Sequence, residues 1–118
     1  IQFLDADDTL ESQKIDLQVS FLENERQVDI VYSSSRYFYA NNSKELFAIH
    51  YTNIVPTIDL SKWDKNQKEI LVLRNICTIC ASLYRKQIFE KIKFKDVVYE
   101  DWLFHIECAL NNYVFHFI

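Results

Sequence analysis

The first eight residues contain a short apolar stretch that leads directly into three carboxylates. Residues 1–4 are mostly apolar, and Asp5, Asp7 and Asp8 follow at once. Ligands of open α/β sheets bind outside the carboxyl ends of the strands, where these side chains would lie. Crowded carboxylates repel one another unless a cation lies between them, and Mg²⁺ or Mn²⁺ suits an oxygen-only cluster. The pattern predicts metal or phosphate chemistry; the alternative is a solvated turn in which Asp8 caps the next helix.

A second acidic pair, Glu100 and Asp101, opens the most regular amphipathic segment of the chain. The apolar positions that follow the helical period are Tyr99, Trp102, Leu103, Ile106, Ala109, Leu110 and Tyr113. Acidic residues in a first helical turn are favoured by the helix dipole, so ordinary helix construction explains the pair as well. The functional interpretation makes Asp101 a general base that a packed helix holds toward the same cleft as Asp5 and Asp7.

The composition limits the classes of protein to which the chain can belong. It has 118 residues, 49% of them hydrophobic, which suits a single domain with a real core. A formal charge of −4 without any Lys/Arg run argues against nucleic-acid binding, and no apolar run is long enough to span a membrane. No signal peptide is visible, and the start at Ile1 instead of Met suggests a longer parent protein. The absence of Gly excludes glycine-rich phosphate loops within the chain.

The three cysteines do not form the framework of a disulfide-rich protein. Cys77 and Cys80 have the spacing of a redox or zinc motif, but no second ligand pair accompanies them. They lie in an apolar run, so we expect free, buried thiols and a reducing, cytoplasmic setting.

The elements that must position these residues alternate between strand and helix, which predicts a layered α/β domain. We predict strands at residues 1–4, 28–33, 36–40, 76–83 and 113–118, and an extended stretch at 46–55. We predict helices within residues 9–24 (with Ser12 as N-cap), from Asp59 or Ser61 onward, at 86–91, and from 99 to the Asn111-Asn112 pair.

Several of these segments together resemble family 2 glycosyltransferases with the GT-A fold. "FLDADD" resembles their Asp-x-Asp motif, and "VDIVYSS" resembles the strand after the next helix. "ASLYRKQIFEKIKF", "VVYEDWLF" and "ALNNYVFHFI" resemble their acceptor-side block. The resemblance covers nearly all of the chain except about residues 40–75. It implies a partial GT-A fold, like that of nucleotide-diphospho-sugar transferases, with a layered mixed sheet and flanking helices.

The resemblance also implies an activity and roles for individual residues. The family transfers a sugar from a nucleotide diphosphate sugar donor to a saccharide or lipid-linked saccharide acceptor, usually with inversion, as in polysaccharide biosynthesis. Asp7 matches the position that binds Mn²⁺ or Mg²⁺, and Asp5 matches the one that contacts the ribose or the metal. Asp8 is a candidate on the diphosphate side, and Asp101 matches the base. Arg85 is a candidate for contact with phosphate or acceptor.

The family's nucleotide-binding half would precede Ile1. The resemblance therefore implies that residues 1–118 are one domain, a fragment of a catalytic domain that is inactive alone. We expect the flank of the strand at residues 1–4 to be exposed, and an exposed edge favours self-association. We expect the parent protein in the cytoplasm, either free or at the inner face of the membrane.

Two other functions stay open. "DADDTLES" also resembles the first motif of haloacid dehalogenase-like phosphatases, with Asp5 as nucleophile, Asp7 as acid/base and Thr9 behind them; Ser33 or Ser34 would supply their second motif. That family gives no role to "LYRKQIFEKIKF", which the glycosyltransferase interpretation uses. The third possibility is a non-catalytic interaction module whose carboxylates are surface charge.

Overall fold

The computed structural model describes residues 1–35, 57–62 and 66–118 in full, and residues 38–39 and 42–46 by their backbone. The described helices are α1 (Lys14–Asn24), α2 (Gln67–Leu73), α3 (Ile88–Lys91) and α4 (Glu100–Leu110), and the strands are β1 (Ile30–Tyr32), β2 (Phe38–Tyr39), β3 (Asn42–Leu46), β4 (Ser82–Tyr84) and β5 (Phe115–Phe117). The predicted α/β class is confirmed. Among the described residues, no helix has the length and apolar character needed to cross a membrane.

A mixed sheet of three strands, in the order β4-β1-β5, forms the centre of the molecule. β1 runs antiparallel to β4, with Val31 opposite Leu83, and parallel to β5, with Val31 opposite His116. β2 and β3 form a separate antiparallel pair. Both β1 and β4 are buried along their whole length, because helices cover the two faces of the sheet.

The alternation of side chains along β1 divides the core into two layers. Ile30 and Tyr32 face the larger layer, which contains buried residues of α2 and α4, whereas Val31 faces a smaller layer with Leu22 of α1. Aromatic rings fill part of the larger layer, where Phe89 and Phe104 stack with ring centroids 5.3 Å apart. The predicted arrangement of a layered mixed sheet with flanking helices is therefore confirmed.

Residues 1–4 do not form the buried strand that the sequence predicts. Gln2 makes an isolated antiparallel bridge with Leu83, and the backbone N–H of Tyr84 donates to the Ile1 carbonyl at 2.9 Å. Ile1 and Leu4 are 45% and 48% exposed. The reason is position: the segment lies on the outer edge of β4, and the described residues supply no neighbour on its other side.

Three other element boundaries differ from the prediction. α1 begins after Gln13, so Ser12 is not its N-cap. α2 begins after Asn66, whose side chain accepts from the Lys68 N–H at 3.0 Å, while the chain near Asp59 forms only a 3-10 turn at Leu60–Lys62. Of the strand predicted at 76–83, only Ser82 and Leu83 belong to β4, and Ile79–Ala81 form a 3-10 turn.

The remaining elements follow the prediction where they are described. α3 buries Ile88, and α4 begins with Glu100 and ends at Leu110, directly before the Asn111-Asn112 pair. Asn112 has a φ of 67°, as a turn-forming Asn can. The extended stretch predicted at 46–55 lies outside the described residues except for Leu46, which ends β3.

Candidate functional site

The first acidic stretch forms a tight turn after the edge segment. The backbone N–H of Asp8 donates to the Asp5 carbonyl at 3.1 Å. The side chains of Asp5 and Asp7 are exposed, and within the described part of the chain neither carboxylate has a hydrogen-bond or ion-pair partner. Asp8 is half-buried and does not cap α1, which begins only at Lys14. No other residue in the described ranges therefore occupies the carboxylate oxygens of Asp5 and Asp7.

This turn lies at the end of the sheet where β1 finishes and β4 begins. The Ser33 N–H after β1 donates to the Ala81 carbonyl at 3.3 Å, and the Ser35 and Thr78 hydroxyls are 2.9 Å apart. The Gln2 amide donates to the Cys80 carbonyl at 2.8 Å. Residues 75–80 lead into β4. They therefore run across this end of the sheet, beside the carboxyl ends of β1 and of residues 1–4.

Asp101 lies in the first turn of α4 with both carboxylate oxygens engaged. Oδ1 accepts from the Trp102 backbone N–H at 2.7 Å, and Oδ2 accepts from the Asn75 side-chain amide at 3.2 Å. Tyr99, the residue before the helix, has a left-handed backbone (φ 63°, ψ 40°) and makes no side-chain capping bond. Glu100 is exposed, whereas Asp101 is half-buried. The carboxylate is thus held by two donors at the mouth of the helix.

Residues 75–80 connect the two acidic stretches. Asn75, at one end of the segment, donates to Asp101. The Cys80 thiol, at the other end, is near enough to the Asp8 carboxylate for that group to affect its pKa. Burial chiefly raises the pKa of Cys80, and the Asp8 carboxylate adds to the rise. Burial also raises the pKa of Cys77 to about 12, to which the Asp101 charge contributes. Both acidic stretches therefore border one six-residue segment.

The predicted free thiols are confirmed, but Cys80 is half-buried and not fully buried. Cys77, Cys80 and Cys108 are free cysteines, and Cys77 and Cys108 are buried. Among the described residues, no group of three or more His, Cys, Asp or Glu side chains is arranged to hold a metal ion, so Cys77 and Cys80 are not part of a zinc site there. Raised thiol pKa values make these groups poor nucleophiles at neutral pH.

The same finding constrains the predicted Mn²⁺ or Mg²⁺ site. Mg²⁺ often binds one or two protein carboxylates together with substrate phosphates instead of a cage built from the protein alone. Asp5 and Asp7 offer exposed oxygen ligands of the kind that such an ion prefers. The residues present therefore fit a metal whose remaining ligands come from a bound diphosphate and water.

Arg85 does not face a ligand, contrary to its predicted role. Its guanidinium donates to the Val28 carbonyl at 2.8 Å and also to the Leu22 and Glu25 carbonyls. These acceptors lie at the end of α1 and in the loop before β1, where a planar group with several donors satisfies carbonyls that the helix leaves unpaired. Arg85 therefore joins β4 to the end of α1.

Sequence reasoning missed four contributors to the site. Asn75 stands next to Arg74 between two apolar runs, and His105 and Tyr84 occupy positions that the patterns assign to the core. No spacing signal marks them, because their partners are distant in sequence. Lys14 was also missed: it donates to the Gln2 and Gln18 side chains behind the acidic turn, and burial lowers its pKa to about 8.

An open depression of about 440 Å³ lies elsewhere, at the other edge of the sheet. Its lining is Leu60, Asn66, Gln67, Lys68, Asn112, Val114 and Phe115. None of the predicted acidic residues contributes to it, so this depression is separate from the acidic site.

Comparison with known proteins identifies a distant relative. The whole chain aligns over 121 residues, at 26% identity, with a protein of Methanocaldococcus jannaschii named "Uncharacterized glycosyltransferase". The chain spans only 38% of the length of that protein. No protein-family model and no solved structure matches the chain.

Proposed function

We propose that this chain is part of the catalytic domain of a metal-dependent, inverting glycosyltransferase. Its donor would be a nucleotide diphosphate sugar, and its acceptor a saccharide or lipid-linked saccharide. The distant relative supports glycosyl transfer in general. The GT-A fold, the metal and the residue roles are the finer parts of the proposal, and they rest on the sequence motifs and on the geometry of the acidic residues.

The observation that carries the proposal is the arrangement of the two acidic stretches around residues 75–80. Asp8 is near enough to Cys80 to raise the pKa of its thiol, and Asp101 accepts from the Asn75 amide, although the stretches are at opposite ends of the chain. Sugar transfer needs a group that stabilises the leaving diphosphate and a base for the incoming hydroxyl, on opposite sides of the anomeric carbon. Two acidic groups bordering one short segment suit these two tasks.

Each acidic residue then has a distinct role. Asp7, with Asp5, would hold Mn²⁺ or Mg²⁺ against the donor diphosphate, and Asp8 lies on the diphosphate side. When bound, the metal neutralises charge that develops on the leaving group. Asp101 takes the proton of the acceptor hydroxyl as this attacks the anomeric carbon. Glu100 is exposed and orients the start of α4 through the helix dipole.

Binding of metal and nucleotide tests the role of the first acidic stretch. In the complete polypeptide that contains this chain, we expect Mn²⁺ to bind weakly alone and more tightly with a nucleoside diphosphate, because the protein supplies few ligands. Asp7→Asn should abolish this cooperative gain in calorimetry, whereas Asp16→Asn, an equal change on the exposed face of α1, should leave it intact. Equal Mn²⁺ affinity with and without nucleotide in the unaltered protein would contradict the role.

Kinetics test the role of Asp101. General-base catalysis contributes roughly 10²- to 10⁴-fold to a rate, so we expect Asp101→Asn to lower kcat by about that factor with donor binding unchanged. Glu100→Gln, the neighbouring change, should retain most activity.

The phosphatase alternative makes a different prediction: beryllofluoride would become trapped at Asp5, and a phosphomonoester would be hydrolysed. Either result would replace the proposed function.

A further inference from the structure

His105 is a fully buried histidine whose two ring nitrogens both have side-chain partners. Its Nε2 lies 2.7 Å from the Tyr84 hydroxyl, and its Nδ1 lies 3.2 Å from Oδ1 of Asn75. A buried histidine with satisfied nitrogens is ordinarily a core residue and nothing more. The difference here is that Asn75 also donates to Asp101, so the contacts form one continuous chain that ends on the predicted base.

The chemistry of the end group fixes the direction of every hydrogen bond in this chain. An ionised carboxylate can only accept, so Asn75 must present its amide nitrogen to Asp101 and its oxygen to His105. An amide oxygen also only accepts, so the proton of the neutral imidazole must be on Nδ1. Nε2 is then the acceptor, and the Tyr84 hydroxyl donates to it.

Burial keeps the two ring systems in these protonation states. It lowers the pKa of His105 to about 4, so the imidazole is neutral at neutral pH. It raises the pKa of Tyr84 well above the ordinary value, so the hydroxyl keeps its proton. From Tyr84 to Asp101, all the donors therefore point the same way, and successive bonds polarise one another.

We propose that Tyr84, His105 and Asn75 are positioning residues that orient the Asp101 carboxylate through this hydrogen-bonded chain. The inference rests on the proposed role of Asp101 as a base. Tyr84 belongs to β4, His105 to α4 and Asn75 to the loop after α2. The hydrogen bonds between them therefore connect three separate elements at the carboxylate. With Oδ1 held by the Trp102 N–H and Oδ2 by Asn75, the carboxylate plane is fixed, and each oxygen keeps a second lone pair for the acceptor proton.

The tautomer of His105 gives a test that does not depend on catalysis. Long-range ¹H–¹⁵N spectra of the 118-residue chain at pH 7 should show a neutral ring with the proton on Nδ1. Asn75→Leu removes the acceptor for that proton, so the proton should move to Nε2, which can donate to the Tyr84 oxygen. Tyr84→Phe should leave it on Nδ1. A proton on Nε2 in the unaltered chain would overturn the proposal.

Kinetics of the complete polypeptide give the second test. Asn75→Leu and Tyr84→Phe should each lower kcat about tenfold with KM for both substrates unchanged, because neither residue touches substrate and small misplacements of a base are costly. Tyr32→Phe is the matched control, because it also removes a buried hydroxyl. That hydroxyl donates to the Ile58 carbonyl and takes no part in the hydrogen bonds that lead from Tyr84 to Asp101. The variant should leave kcat unchanged.

The conservative variant separates positioning from packing. His105→Asn keeps a donor near the Nδ1 position and should recover part of the kcat that His105→Leu loses. The proposal is overturned if Asn75→Leu and Tyr84→Phe have the same kcat as Tyr32→Phe while Asp101→Asn is inactive. In that case Asp101 keeps its proposed role as the base, and the three residues do not position it. If Asp101→Asn keeps full sugar transfer, the base assignment and this inference both fall, whatever the tautomer of His105.

Discussion

His105 gives the protein a stability that depends on pH. Its pKa is about 6.5 in an unfolded chain and about 4 in the folded one. Between these values the unfolded chain binds a proton that the folded chain does not, so the free energy of unfolding falls as the pH falls. The slope reaches about 1.4 kcal/mol per pH unit, and the whole loss is about 3 kcal/mol. Above pH 6.5 the imidazole is neutral in both the folded and the unfolded chain, so none of this free energy of unfolding is lost.

Urea unfolding at pH 7.5, 5.5 and 4.5 measures this effect. Carboxylates titrate in the same range, so the informative quantity is the difference in slope between the unaltered chain and His105→Asn. We expect the variant to be less stable at pH 7.5 and to lose less stability on acidification. Parallel pH dependences in the two proteins would show that His105 is not the group responsible.

Single residues were predictable from sequence only where a local pattern marked them. Asp7 and Asp101 each follow or open an element, and such positions can be found by inspection. Asn75 and Tyr84 cannot, because their importance depends on which distant side chains they meet. Arg85 shows the converse: a cation next to a strand suggested a ligand, but the carbonyls that end α1 bind it instead.

At the scale of elements, Tyr99 marks the start of α4 with a strained backbone. A left-handed conformation costs a non-glycine residue roughly 1–2 kcal/mol, and the Tyr99 ring is 69% exposed, so little packing offsets that cost. We expect Tyr99→Gly to raise the free energy of unfolding by about 1 kcal/mol. Chemical denaturation of the two proteins measures the change.

Asn112 offers the control for this prediction. It has the other positive φ found at a non-glycine position among the described residues, but asparagine tolerates that conformation, so Asn112→Gly should change stability by only a few tenths of a kcal/mol. If Tyr99→Gly destabilises the protein instead, the contact between the Tyr99 and Trp102 rings, whose centroids are 6.5 Å apart, outweighs the backbone strain.

Helices were easier to predict than strands for a physical reason. The period of α4 extends over eleven residues, so each apolar position supports the next. The strands β1, β4 and β5 contain three residues each, too few to show a period. The run at residues 76–83 is apolar because the core surrounds it, and burial alone does not distinguish a strand from the 3-10 turn that occupies part of it.

At the scale of the whole molecule, the alternation of elements sufficed to predict a layered α/β domain, whereas the placement of its first segment could not be deduced. An apolar tetrapeptide before three carboxylates resembles a central strand, but Gln2 pairs on one side only, with Leu83. Which strands become neighbours depends on the whole chain. That same topology places residues 75–80 between the two acidic stretches.

The edge formed by residues 1–4 leads to a prediction about assembly. The Ile1 backbone pairs with Tyr84, so the N–H and C=O of Gln2 point the opposite way, toward the open side of the segment. Leu4 is 48% exposed beside this edge. An exposed edge with apolar neighbours favours pairing with a second copy. We expect light scattering of the isolated chain to give a mass that rises with concentration from 14.2 kDa toward twice that value.

A charged residue on the edge should suppress this association, because pairing would bury the charge or bring two like charges together. We therefore expect Leu4→Lys to remain monomeric at concentrations where the unaltered chain dimerises. Leu17→Lys introduces the same change on α1, outside residues 1–4 and at a side chain that is 60% exposed, and it should still dimerise. If both variants become monomeric, net charge governs the association and the edge does not; if neither does, the interface lies elsewhere on the molecule.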